Sequence, residues 1–349
     1  MLEEIVRPLL GWYDRNARIL PWRSEPTPYR VWVSEIMLQQ TRVEAVKPYF
    51  ERFTGELGGV RELAECPEDQ LLKLWEGLGY YNRVRNMQKA AVVVMEQYGG
   101  ELPADYGKLL SLPGIGPYTA GAIASIAFGL PVPAVDGNVL RVLSRVTLCG
   151  DDILRQSVKS RWEKDTARIL PKDRPGDFNQ ALMELGAVVC VPNGLPKCEE
   201  CPLKELCRAR AEGCAAEYPK KTPKKARKIE ERTVLVLQKG GRTAIRKRAP
   251  EGLLAGLYEL PNLPGRLTEQ EVAAYVREKG LSPAGIQKIE EAKHIFSHVE
   301  WHMAGYLVYV EELAGREGEE FIFVEPETQE AGYPIPSAFR AYRKYWRSV

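Results

Sequence analysis

The sequence predicts a multidomain protein. Residues 1–208 read as mainly α-helical, residues 209–230 as a basic interdomain linker, and residues 231–349 as a mixed α/β domain. Three observations predict this. Apolar residues recur at helical spacing through the first region, and no strand alternation persists there. The stretch Tyr218–Lys228 then holds six basic residues and no acid, interrupted by prolines, as an extended connector would. Beyond Glu231, short alternating runs separated by turn residues take over. At 349 residues there is enough chain for two or three cores.

The helical region is built from recognisable pieces. The run Val31-Trp-Val-Ser-Glu-Ile-Met-Leu-Gln-Gln-Thr-Arg-Val-Glu-Ala-Val46 has one apolar stripe, as do Asp69–Glu76 and Asn86–Glu96. The segment Ala120–Phe128 is rich in small residues, which suits close helix packing. In the α/β region, Arg232–Arg246 reads as a hairpin around Gly240-Gly241. A helix is expected over Thr268–Lys279, with Thr268 and Glu271 forming a capping box. Trp301–Val310 and Phe321–Val324 read as strands.

Composition excludes several classes. The net charge of +2 does not by itself announce a nucleic-acid binder, so any such affinity must come from local patches. No apolar run reaches membrane-spanning length, and the acidic, interrupted N-terminus does not read as a signal peptide. A cytoplasmic, prokaryotic location is expected. The seven cysteines are odd in number, which argues against a disulfide framework.

The most informative segment is Leu112-Pro-Gly-Ile-Gly-Pro-Tyr-Thr-Ala-Gly-Ala-Ile123, followed twenty residues after Gly116 by Asp136. Two glycines, Gly114 and Gly116, in a Pro-led turn expose backbone N–H groups at a helix start, a ready site for an anion such as a DNA phosphate. Read alone, the turn is better taken as an ordinary helix connection, and Asp136 as an N-cap for the helix that follows. Four cysteines, Cys190, Cys198, Cys201 and Cys207, lie within eighteen positions at spacings x7, x2 and x5. Four thiolates suit tetrahedral zinc or a [4Fe–4S] cluster.

A helical domain with this hairpin, an aspartate behind it and a cysteine cluster at its end resembles the endonuclease III superfamily of helix–hairpin–helix DNA glycosylases. That resemblance implies a [4Fe–4S] cluster on the four cysteines. The first gap is one residue longer than the superfamily's usual one and reads as an insertion in Val191–Lys197. Within the superfamily the helical half resembles the MutY adenine DNA glycosylases. The segments that carry this are Leu20-Pro-Trp-Arg23, Val31–Thr41, Gly77-Leu-Gly-Tyr-Tyr81, the 112–123 hairpin and Val135-Asp-Gly-Asn-Val139.

The resemblance implies roles that the chemistry supports. Adenine leaves deoxyribose poorly unless protonated, and Glu35, set among Trp32, Val33, Ile36 and Leu38, is the expected acid, its pKa raised by desolvation. Asp136, kept charged by its helix N-terminus, is expected to stabilise or attack the oxocarbenium-like sugar. Asn138 orients these groups. Tyr118 stands where bifunctional relatives carry a lysine, so a monofunctional enzyme without strand cleavage is expected. Arg23, Trp22, Leu38 and Gln180 would hold the extruded adenine. Gln40 and Tyr80 would wedge into the duplex.

Residues 231–349 resemble the recognition domain of the same family, a relative of Nudix hydrolases, through Gly252–Pro261 and Lys293–His298. The glutamate-rich metal helix of working Nudix enzymes is absent from the sequence, so binding without hydrolysis is expected. Phe296, Ser297 and His298 match the loop that reads 8-oxoguanine, whose N7–H a serine hydroxyl can accept. The implied partner is duplex DNA with adenine opposite 8-oxoguanine or guanine, bound by a monomer. Two other readings compete: a mismatch or oxidised-pyrimidine glycosylase of the same superfamily, and a non-enzymatic iron–sulfur DNA-binding module.

Overall fold

A computed structural model describes residues 2–223, 226–312 and 321–346. The chain divides into two compact units, Met1–Cys66 with Asn82–Lys224, and Pro67–Tyr81 with Lys225–Val349. The first unit is helical. Its core joins the helices Val6–Asn16, Gly137–Thr147 and Pro175–Val188, with Leu9, Trp12, Leu143, Phe178 and Leu182 buried together. Each such side chain contributes about 2 kcal/mol by leaving water. The helix Pro28–Leu38 packs on Pro117–Phe128.

The run expected as one helix over Val31–Val46 is two, Pro28–Leu38 and Val43–Glu56. The break falls where Gln40 takes a left-handed backbone, φ 61°. Neither glycine nor proline marks it in the sequence. Instead Arg83 Nη1 donates to Ile36 O at 2.7 Å and Gln39 O at 2.6 Å, satisfying carbonyls at the helix end.

The connector is not uniformly extended. Its first part forms the short helix Arg208–Ala211 and a 3-10 turn at Ala215–Glu217. Tyr218 O then accepts from Arg145 Nε at 2.9 Å, and Lys220 O from Ile153 N at 3.2 Å. Thr222 bonds the Asp152 carboxylate.

The second unit is a sheet layered between helical segments. Its strands are β1 (Lys228–Lys239), β2 (Arg242–Lys247), β3 (Tyr258–Glu259), β4 (Asn262–Pro264), β5 (Leu281–Ile295), β6 (Val299–Glu312) and β7 (Ile322–Val324). The order is β3-β2-β1-β6-β5, with β4 also on β1 and β7 on β2. β1 and β6 run parallel, and β5 is antiparallel to β6. Residues 233–238 of β1 are buried on both faces, as a central strand requires. Val234 and Val236 face a core with Trp301, Phe339 and Tyr342, while Leu235 and Leu237 face the helix Glu269–Glu278 through Val272 and Val276. The Gly240-Gly241 turn, both residues at positive φ, and the Thr268–Glu271 capping box form as expected.

Two features of this unit are not evident from sequence. β5 spans fifteen residues yet alternates poorly in burial and carries register shifts at Pro283/Gly285 and Ile289/Ala292. The segment Pro67–Tyr81 belongs here although it lies early in the chain. Asp69 accepts from Lys247 Nζ at 2.9 Å, Lys73 Nζ donates to Tyr333 O at 3.3 Å, and Glu76 accepts from Arg343 Nη2 at 2.9 Å. Among the described residues no helix is long and apolar enough to cross a membrane.

Candidate active site

Glu35 sits in the last turns of a helix begun by Thr27, whose hydroxyl accepts from Arg30 N at 3.3 Å, and by Pro28 at the first helical position. Every residue from Val31 to Met37 is buried, so Glu35 has no solvated face to turn to and is only 6 % exposed. Burial lifts its carboxyl to about 7. The hydroxyl of Tyr118, which donates to Glu35 Oε2, pulls the other way, and the Asp136 charge adds to the rise. Burial holds the Tyr118 phenol well above its ordinary range, so it stays a neutral donor. Its oxygen is also 3.2 Å from Met183 Sδ.

Asp136 caps the helix Gly137–Thr147. Its Oδ1 accepts from Asn138 N at 2.9 Å and Val139 N at 2.8 Å, and its Oδ2 from Asn138 Nδ2 at 2.7 Å. The expectation that the helix N-terminus keeps this carboxyl low needs correction. Burial is the larger influence and raises it, with the three N–H donors and Arg141 offsetting part of the rise. Asn138 is itself held, since its Oδ1 accepts from Arg141 Nη2 at 2.8 Å. The approach is possible because residue 186 is glycine: a Cβ there would lie 2.6 Å from Asn138 Cβ.

Arg23 and Gln180 meet, Nε donating to Oε1 at 3.1 Å. Arg23 Nη2 also reaches Glu184 Oε2 at 2.9 Å, and Arg18 Nε reaches Glu184 Oε1 at 2.6 Å. Burial acts to raise the Glu184 carboxyl, but the Arg18 hydrogen bond and the Arg23 charge outweigh it and hold it below its ordinary value. Trp22 is buried edge-on against Phe50, with ring centroids 5.3 Å apart. Leu38 is half-buried.

Sequence reasoning missed Glu184, Arg18, Met183 and Arg83. Only Glu184 left a sign, as a charged residue one helical turn beyond Gln180 in an otherwise apolar run.

Gln40 is exposed with its left-handed backbone. Tyr80, in the other unit, is 48 % exposed and also left-handed, φ 48°. Such conformations in non-glycine residues are costly and cluster at functional sites. In the hairpin, Gly114 has φ 75°, and a Cβ on it would stand 2.6 Å from Asn86 Cβ. Gly116 caps the helix that Pro117 opens, with Tyr118 in its first turn. In the second unit, Ser297 and His298 are exposed at the turn between β5 and β6, with Ser297 Oγ 3.2 Å from His298 Nδ1, and Phe296 is half-buried.

Cys190, Cys198, Cys201 and Cys207 line a single pocket with Val142, Arg145 and Leu185. Arg145 Nη1 lies 3.2 Å from Cys190 Sγ. Burial pushes the Cys201 thiol up to about 12, so a metal must displace protons to bind. The donor set is all sulfur and suits a soft metal. Among the described residues, no three Cys, His, Asp or Glu side chains stand close enough together to hold a metal ion as they are. Cys66, Cys149 and Cys214 lie outside this pocket.

Residues 33–168 match the HhH-GPD superfamily of base excision DNA repair proteins, and residues 232–345 match the NUDIX domain. Fold and site define a helix–hairpin–helix DNA glycosylase with a Nudix-like C-terminal domain. An adenine DNA glycosylase of Mus musculus is 38 % identical over 349 residues, covering 83 % of this chain and 68 % of its own. One from Buchnera aphidicola subsp. Acyrthosiphon pisum is 32 % identical over 332 residues, covering 94 % of each. The chain belongs to the adenine DNA glycosylase family. Among solved structures, a thermostable thymine-DNA glycosylase aligns with a TM-score of 0.55 at 30 % identity, over 60 % of this chain and 97 % of that one. An endonuclease III–DNA complex aligns with a TM-score of 0.53 at 26 % identity, over 61 % and 96 %.

Proposed function

We propose that the protein is a monofunctional adenine DNA glycosylase that hydrolyses the N-glycosidic bond of adenine placed opposite 8-oxoguanine or guanine. The observation that carries this reading is Glu35, lifted to about 7 and bonded to a tyrosine, within electrostatic reach of an aspartate on a helix start. A carboxyl near neutrality is suited to give a proton to adenine N7 and later to take one from water. Asp136 faces the sugar and stabilises the positive charge that develops when the base departs. Asn138 holds that carboxylate in place. Tyr118 has no amine with which to form a Schiff base, so the strand is left uncut.

Arg23, Trp22, Leu38 and Gln180 hold the flipped adenine, and Gln40 and Tyr80 each wedge into the duplex. Gly114 and Gly116 present N–H groups to a phosphate. Phe296, Ser297 and His298 read the opposite base. The four cysteines hold a [4Fe–4S] cluster, which when bound cross-links the end of the helical domain. The working division is a catalytic domain over 1–208, of which Pro67–Tyr81 groups with the other unit, a linker over 209–230 and a recognition domain over 231–349. The protein acts as a monomer on duplex DNA. Its bacterial relatives support a prokaryotic, cytoplasmic setting.

The test is single-turnover base release on duplexes carrying A·8-oxoguanine, A·G, G·T and an oxidised pyrimidine, with wild type, Glu35→Gln and Asp136→Asn. Adenine release by wild type alone supports the assignment. Thymine or pyrimidine release replaces it with another member of the superfamily, and tight binding without release makes the protein a binding module. Iron and sulfide analysis of the purified protein tests the cluster, and stoichiometric zinc would contradict it.

A further inference from the structure

We propose that Arg227, at the end of the basic linker, is a positioning residue for the Phe296–His298 loop and sets how strongly adenine removal depends on the opposite base. The proposal rests on that loop being the reader of the opposite base.

The loop is held on two sides. On one, the Phe296 ring packs edge-on against His294 at 4.6 Å and Trp301 at 4.9 Å. Trp301 is fully buried, with the Arg232 guanidinium 4.4 Å over its ring and its Nε1 donating to Glu230 at 3.2 Å. These contacts fix the ring. The turn is closed by Phe296 N donating to Val299 O at 2.9 Å. The other side is the linker. Lys228 N donates to His298 O at 3.3 Å, and Arg227 Nε donates to Phe296 O at 3.1 Å.

Arg227 therefore grips the carbonyl of the peptide group that joins Phe296 to Ser297. A peptide group is planar, so fixing that oxygen also fixes the direction of the Ser297 N–H on its opposite edge. Ser297 is exposed and offers this N–H together with its hydroxyl. If Ser297 meets the opposite base, the linker arginine aims the group that meets it.

The experiment uses the full chain with Arg227→Gln and Arg227→Lys. It measures single-turnover adenine release opposite 8-oxoguanine and opposite guanine, duplex affinity against salt, and melting temperature. The bond is charge-assisted but exposed to solvent, and a hydrogen bond of ordinary net worth corresponds to about a fivefold change. Both variants should lower the 8-oxoguanine-to-guanine rate ratio by about fivefold, because lysine keeps the charge but moves the donor, while the rate opposite guanine and the melting temperature hold. If lysine restores the ratio, or if glutamine weakens both duplexes alike and lowers the salt slope by about one, Arg227 is a phosphate contact and the proposal is wrong. A parallel loss of both rates with a lower melting temperature makes the residue merely structural and also overturns it. Phe296→Ala and Ser297→Ala are run alongside. If they leave the ratio unchanged, the loop is not the reader and the proposal falls with that reading. If they lower it and the Arg227 variants do not, the positioning role alone fails.

Discussion

Replacing Glu35 by Gln should abolish adenine release and at the same time stabilise the folded protein at neutral and alkaline pH. Glu35 is 6 % exposed, and its carboxyl is lifted by burial from 4.5 to about 7. Between those values the native state keeps a proton that the unfolded chain has released. Stability therefore falls as pH rises across that window and levels off above it. The difference corresponds to about 3 kcal/mol of native-state cost in holding a buried charge above pH 7. Glutamine keeps the oxygen that accepts from Tyr118 and never ionises. The variant's advantage should grow from nothing near pH 4.5 to about 3 kcal/mol at pH 8, or roughly 6–12 °C in the melting of the helical unit. Activity should move the other way. A positioned acid is worth about 10²–10⁴ in rate, and wild-type release should fall about tenfold per pH unit above about 7. Melting curves at about pH 5 and about pH 8, with single-turnover assays on the same preparations, test both halves. A variant with wild-type rates, or a stability gap that does not widen with pH, would rule out Glu35 as a buried acid of raised pKa.

Tyr118→Phe removes the donor that lowers the Glu35 carboxyl, so the descending limb of the pH–rate profile should move to higher pH. Borohydride should trap little wild-type protein on an A·8-oxoguanine duplex, whereas Tyr118→Lys, which supplies an amine, should trap readily. Asp136→Asn should keep its helix cap, with a melting shift worth under about 1 kcal/mol, yet lose adenine release. Glu184→Gln leaves Arg18 and Arg23 without their shared, 1 %-exposed carboxylate, and should cost about 3 kcal/mol in thermal unfolding together with weaker duplex binding. An unchanged melting curve would show that the arginines are held by other groups.

Much of the fold was legible because its signals are local. The Thr268–Glu271 capping box and the Gly240-Gly241 turn each need only a few neighbouring residues. The break between Leu38 and Val43 was not legible, since part of its cause, Arg83, lies more than forty residues further along the chain. β5 was missed because its bulges, its proline and its exposed positions erase the period of two. The membership of Pro67–Tyr81 in the second unit rests on partners such as Lys247 and Arg343, which no reading of that segment could supply.

Residue order alone supplies the groups that are available: an acid in an apolar helix, an aspartate before another, a tyrosine in the hairpin and four clustered cysteines. Residue type and nearest neighbours suffice for that. Tertiary structure decided what those groups do. It set Tyr118 against Glu35 across 83 positions, joined Arg23 to Glu184 across 161, and raised the Glu35 and Asp136 carboxyls by burial. Protonation depends on how much water the folded chain excludes, and that quantity exists only once distant segments have packed.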